Sequence, residues 1–188
     1  MPHRRQGRQK RDHLFDLEEY VLHTTIPELL AEWNEEAAIT QRILDALTDG
    51  SLGQEVWPGG RTLGGIAWHI VTSTPSFFSA FGVKIDPVPE SVGAPASARE
   101  IADGWRQVSA AASHAMEAQL DDAALKRVQN AFGREMQTGA ILELLVKHHI
   151  HHRGQMTILL RQAGVKTPGV YGPAKEEWVH LGVETPPM

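Results

Sequence analysis

Apolar and polar positions alternate along this chain with a period of about 3.6 residues, which is typical of amphipathic helices. Four such stretches predict helices over residues 28–49, 62–81, 98–119 and 138–164. Pro75 lies inside the second stretch, where its ring would clash with the carbonyl of Val71, so we expect a kink or an early break there. We find no convincing strand pattern, and residues 120–136 are expected to form an irregular connection with a short helix over 123–128.

The connections between these helices indicate the fold class. Residues 82–97 are rich in proline and form a connection long enough to cross from one end of the molecule to the other. Four helices of about 20 residues with one long crossover predict an all-α protein, a four-helix bundle. The chain is then divided into a polar, basic N-terminal extension, the bundle and a C-terminal tail, over residues 1–25, 26–172 and 173–188.

Composition and charge limit the partners that we expect. At 188 residues the chain suits one well-cored domain, and no apolar run is long enough to span a membrane. The first eleven positions hold five of the 18 basic residues and no acidic residue. Residues 12–188 therefore hold 13 basic and 23 acidic residues, which gives them a formal charge of -10. We therefore expect no nucleic-acid partner. Acidic residues rather than an apolar segment follow the basic start, so we expect no secretory signal and a cytoplasmic protein.

A histidine cluster is the strongest chemical feature of the sequence. Four of the ten histidines lie within five residues of the fourth predicted helix: His148, His149, His151 and His152. Residues at i and i+4 project from one helix face, so His148 and His152 can hold one transition-metal ion together. A second apolar stripe fits this helix almost equally well and pairs His149 with His152. The alternative interpretation is a set of histidines at the core edge, or a surface that captures metal adventitiously.

A third imidazole ligand has to come from another part of the chain. His114 lies among alanines and His180 lies in the tail, whereas His69 lies on the second predicted helix, on a face with Ile66 and Ser73. We therefore favour His69. The chain has no cysteine, so no thiolate ligand is available. The side chains that could orient an imidazole ligand through a hydrogen bond are Gln155, Glu143 and Asn34.

These motifs resemble those of a known group of proteins. The block His-x-x-x-His-Arg-Gly-Gln that begins at His148, with a Leu-Gly-x-x-x-x-His helix start that ends at His69, resembles the DinB-like superfamily, which includes damage-inducible DinB and its YfiT-type relatives. The resemblance covers residues 26–172. It implies a bundle with up-down-down-up topology and a divalent metal on His69, His148 and His152. It thus selects His148 over His149, which periodicity leaves open.

The resemblance also implies a chemistry. Three nitrogen ligands leave a coordination position where a metal can lower the pKa of a water or thiol, or polarise a carbonyl. We expect Zn²⁺ or Ni²⁺ there, ahead of Fe or Mn. Because some relatives are thiol-dependent transferases, we expect a metalloenzyme that acts on a small-molecule substrate, either with a low-molecular-weight thiol or as a hydrolase.

The alternative function is a non-catalytic stress-response or damage-response protein with a structural metal and a protein partner. We expect a homodimer and no membrane partner. For Arg153 we expect an ion pair or a dimer contact rather than catalysis, since it faces away from His152.

Overall fold

The computed structural model describes residues 23–86 and 93–182, and its main elements are four helices and a hairpin. The helices are α1 (Ile26–Asp45), α2 (Leu63–Ser79), α3 (Ala98–Gln119) and α4 (Thr138–Gln162). The strands β1 (Val128–Ala131) and β2 (Arg134–Gln137) pair in antiparallel register just before α4. The predominantly helical fold confirms the predicted fold class. Of the predicted extension and tail, residues 1–22 and 183–188 lie outside the described residues.

Side-chain caps define where three of the helices begin. Thr25, Thr62 and Ser97 each accept a hydrogen bond from the backbone N–H three residues further on. Such caps satisfy one of the N–H groups that a helix start leaves without a partner. Pro27 lies in the first turn of α1, where the missing N–H is tolerated. These local signals explain why the helix positions could be predicted closely from the sequence.

Proline does not interrupt α2, so the predicted early break was wrong, while the kink expected as its alternative stays a prediction. Pro75 lies inside α2, which continues to Ser79. The residues around Pro75 are buried, including Val71 and Phe78, neither of which is exposed to solvent. The packing of α2 against α3 and α4 offsets the free-energy cost of the backbone hydrogen bond that Pro75 cannot donate.

A β-hairpin replaces most of the irregular connection predicted for residues 120–136. Only a 3₁₀ turn (Ala124–Lys126) forms where a short helix was predicted. The turn residues Phe132 and Gly133 have φ angles of 53° and 76°. Positive φ at both central residues is the geometry of the two-residue turns that suit hairpins. The prediction failed because each strand has four residues, too few to show an alternating pattern, and because Phe is not a residue typical of this turn.

The four helices enclose a core in which two tryptophans are central. α1 packs on α3, α3 on α2, α2 on α4, and α4 on α1. Trp33 of α1 and Trp105 of α3 lie 6.2 Å apart between ring centroids. Their indole N–H groups donate to the carbonyls of Ser109 and Ala37 at 3.2 and 3.1 Å. The contact between α2 and α4 matters most for function, because these two helices carry His69 and the four clustered histidines. The up-down-down-up order of the bundle stays a prediction.

Length and apolarity of the helices also bear on the membrane question. Within residues 23–86 and 93–182, no helix is both long and apolar enough to cross a membrane.

Candidate metal centre

α2 and α4 bring the three predicted ligands together. One nitrogen from each of His69, His148 and His152 lies within 4.8 Å of the others. The His69 ring centroid lies 5.0 Å from that of His148 and 4.9 Å from that of His152. The rings of His148 and His152 are 4.4 Å apart. In the part of the chain that the structure describes, these three histidines form the cluster whose nitrogens lie close enough together to hold one metal ion.

His149 belongs to the hydrophobic core instead. Its side chain is 2% exposed, and its ring lies 5.8 Å from Trp33 and 5.1 Å from Trp105. Its Nε2 lies 3.2 Å from Oγ1 of Thr74. Because the Thr74 hydroxyl donates to the carbonyl of Ile70 at 3.0 Å, the imidazole must be the donor in this pair. Nε2 of His149 thus carries a proton and is committed to the core.

The buried stripe of α4 explains why periodicity left the ligand pair open. This stripe passes through His149 and His152, together with Leu142, Leu145, Met156 and Leu159. His148 lies at the edge of the stripe and is half-buried, on the side that meets α2, while His151 is exposed. The cluster therefore forms where the edge of the buried stripe meets α2. The stripe does not identify the clustered histidines, because it includes His149 and leaves His148 at its edge.

Burial lowers the pKa of each clustered imidazole. For His148 the pKa falls to about 4, through burial first and then the neighbouring His152 and His69. Burial also lowers the pKa of His69, and the guanidinium of Arg61 adds to this. For His152 burial is again the main cause, and a hydrogen bond to Gln155 opposes it. The three rings are therefore neutral at pH 7, which is the protonation state that binds metal ions.

One buried nitrogen of the cluster has no hydrogen-bond partner among the described residues. Nε2 of His148 is buried and makes no hydrogen bond to any described residue. Buried polar atoms are paired in most proteins, since a lost hydrogen bond to water costs free energy. A metal ion on this nitrogen would satisfy it. The donor set of three neutral imidazoles and the orphaned nitrogen together fit a divalent transition metal.

Gln155 orients one of the three rings. Its Oε1 lies 2.8 Å from Nδ1 of His152, and a carboxamide oxygen can only accept. Nδ1 therefore carries the proton, which leaves Nε2 as the free donor atom of His152. The other two predicted orienting residues are engaged elsewhere. Glu143 pairs with Lys147 at 2.5 Å, and Asn34 accepts from Ser113 at 2.8 Å.

Two aromatic residues and one basic residue near the cluster escaped sequence reasoning. The Phe77 ring lies 5.5 Å from the ring of His148, and Phe132 at the hairpin tip contacts Phe77. Arg61 precedes the N-cap of α2, is exposed, and lowers the pKa of all three histidines. An apolar period marks Phe77 only as part of a helix, and no pattern in the sequence links residues 61 and 132 to α4.

Comparison with known proteins identifies the family. A sequence model of the DinB family matches residues 19–186, so the chain belongs to the DinB family. The uncharacterised protein YrdA of Bacillus subtilis (strain 168) is 43% identical over 164 residues, which cover 87% of this chain and 98% of that protein. Membership of this family and the three-histidine cluster are compatible with metal binding.

Solved structures of DinB-like proteins share the fold. A DinB-like protein from Bacillus cereus ATCC 10987 has a TM-score of 0.76 and 45% identity, and the match covers 79% of this chain and 99% of that one. The DinB-like protein YjoA of Bacillus subtilis has a TM-score of 0.60 and 19% identity, with 76% and 96% covered. The second likeness concerns the fold alone.

Proposed function

We propose that this protein is a metal-dependent enzyme that catalyses thiol-dependent transfer or hydrolysis of a small molecule. The observation that supports this is the cluster of His69, His148 and His152, which has three neutral ligands and, among the described residues, no fourth. Three-ligand sites of this kind are typical of catalytic metals, whereas structural sites are closed by four protein ligands.

Each residue of the centre has a distinct part in this proposal. His69, His148 and His152 would hold Zn²⁺ or Ni²⁺, with Fe or Mn as weaker candidates. Such an ion supplies Lewis acidity and lowers the pKa of a thiol or a water. Gln155 holds the ring of His152 with Nε2 free. Because the chain contains no cysteine, a reacting thiol has to be a separate, low-molecular-weight molecule.

Access to the centre is consistent with a small substrate. His69 and His148 are half-buried, so a ligand can reach the cluster from solvent, while the core lies behind it with His149. The neighbouring Phe77 limits the space for water on one side of His148. A site that is partly desolvated strengthens the electrostatic effect of a bound ion.

Metal analysis followed by substrate screening tests the proposal. We expect the purified protein to contain about one transition-metal ion per chain, and turnover of thiol-plus-electrophile or ester substrates to depend on it. His148→Ala and His152→Ala should abolish both. His151→Ala is the matched control, since this exposed histidine lies on the same helix next to His152 and should leave both unchanged. Turnover that survives the two ligand substitutions would refute an enzymatic role for the cluster.

A structural metal in a non-catalytic stress-response protein is the second candidate. It is favoured by one observation: the cluster joins α2 to α4, so a bound ion would cross-link the two helices. In that case chelation would lower the melting temperature sharply, and no small molecule would be turned over. The expected homodimer, small-molecule substrate and cytoplasmic location stay predictions.

A further inference from the structure

The hairpin tip presents an aromatic side chain in a strained backbone conformation. Phe132 has a φ of 53°, in the left-handed region that residues with a Cβ rarely adopt. Asn or Gly would form the same turn with less steric strain. The Phe132 side chain is also 54% exposed, so its burial does not offset this strain in the way a core residue would.

Phe77 lies between the ring of Phe132 and the histidine cluster. The two phenyl rings lie 4.9 Å apart between centroids, and the ring of Phe77 lies 5.5 Å from that of His148. Phe77 is half-buried. An aromatic row thus leads from the exposed hairpin tip to a half-buried histidine whose Nε2 has no hydrogen-bond partner among the described residues.

The position of this row along α2 separates it from the polar side of the cluster. Phe77 follows His69 by eight residues, which is about 12 Å along the axis of a helix. Arg61 precedes His69 by eight residues, at the opposite end of α2. The surroundings of the cluster are therefore apolar toward the hairpin and cationic toward the start of α2.

We propose that Phe132 and Phe77 form an apolar subsite that binds an aromatic group of the substrate while its polar head contacts the metal held by the histidines. The inference rests on the proposed function and deepens it, because it assigns a substrate class: a small molecule with a metal-binding head and an aromatic ring next to it. Offset or edge-to-face stacking on the exposed ring of Phe132 would provide the selectivity.

The test compares two metal-binding probes that share a head group. Acetohydroxamate and benzohydroxamate differ in a methyl against a phenyl group, and their binding to the Co²⁺-loaded protein is followed by visible absorption. We expect benzohydroxamate to bind about tenfold more tightly to the wild-type protein. In Phe132→Asn this ratio should fall to about threefold or less, with the affinity for acetohydroxamate unchanged.

Two further variants guard against an effect on folding. Phe132→Gly relieves the strained φ and should behave as Phe132→Asn does. Val128→Asn removes an exposed apolar side chain from the far end of the same hairpin and should retain the tenfold ratio. Melting temperatures of the Phe132 variants should equal or exceed that of the wild-type protein, since the turn loses strain.

The outcomes separate this inference from the proposed function. A wild-type ratio near one, or a ratio that Phe132→Asn leaves at tenfold, would overturn the subsite while the metal centre stands. A parallel loss of both probes in Phe132→Asn would assign Phe132 a structural role and overturn the subsite as well. If Co²⁺ does not bind the wild-type protein, or binds equally to His148→Ala, the proposed metal centre fails and the subsite with it.

Discussion

The guanidinium of Arg153 in α4 is buried against the carboxylate of Glu36 in α1, with the two side chains 1% and 12% exposed. Arg153 also donates to the carbonyl of Glu36 at 2.8 Å and to Oγ1 of Thr40 at 2.9 Å. The Tyr171 hydroxyl donates to the same carboxylate at 2.9 Å. The residue next to His152 therefore anchors α4 to α1 and to the segment that follows α4, and the expected ion pair of Arg153 is confirmed.

Removing one partner of this pair should destabilise the fold. We expect Glu36→Gln to lower the free energy of unfolding by about 3–5 kcal/mol, because it leaves the buried guanidinium uncompensated. Urea denaturation at pH 7 measures this. Arg99→Gln is the control, since Arg99 pairs with Asp103 on the surface with 90% of its side chain exposed, and little change is expected. Equal effects of the two substitutions would contradict the structural role assigned to Arg153.

Gln155→Leu should weaken metal binding without removing a ligand. The substitution deletes the acceptor that holds the proton of His152 on Nδ1, and loss of such a partner costs about 10- to 100-fold in affinity. Competition with a chromogenic chelator measures the dissociation constant. Gln162→Leu makes the same chemical change at an exposed position of α4 and should leave the affinity unchanged. An unaltered affinity in Gln155→Leu would show that the hydrogen bond does not orient a ligand.

A bound metal ion should stabilise the folded chain by mass action. At a free Zn²⁺ concentration 100 times the dissociation constant, the gain in unfolding free energy is about 2.7 kcal/mol, provided the unfolded chain does not bind zinc. His69→Ala should remove this gain. His114→Ala should retain it, because His114 is an exposed residue of α3. Denaturation curves with and without zinc give the result, and a full gain in His69→Ala would exclude His69 as a ligand.

The metal-free protein should lose stability as the pH falls below about 6.5. The pKa of His148 falls to about 4 in the folded state, so between pH 6.5 and 4 the unfolded chain binds the proton and the folded chain does not. The stability from this group is therefore complete above pH 6.5 and is lost on going down to pH 4. Thermal melts from pH 8 to 4 measure the slope.

The variant His148→Gln isolates this contribution from that of the carboxylates, which also titrate at low pH. The difference in melting temperature between the wild-type protein and the variant should shift in favour of the variant as the pH falls from 7 to 4.5. A constant difference over this range would mean that the folded-state pKa of His148 is not lowered.

The sequence alone determined the helical elements, because the signals for them are local. An apolar period and an N-cap such as Ser97 lie within a few residues of the helix that they define, and α3 was predicted at both of its ends. The hairpin was missed for the complementary reason. Its turn requires Phe132 to adopt a left-handed backbone conformation, which neither the apolar pattern nor residue propensity predicts. The Phe132 ring also contacts Phe77, a residue of α2 that lies far away along the chain.

Only the tertiary structure decided which histidines of α4 meet α2. Adjacent residues on a helix differ by about 100° in direction, so His148 and His149 face different neighbours, but the two stripes are nearly equivalent in one sequence. Packing separates them, since His149 fits between Trp33 and Trp105 whereas His148 faces His69. The sequence determines which residues are histidines and how they are spaced along α4. The contact between α2 and α4, which lie far apart along the chain, brings His69 next to His148 and His152.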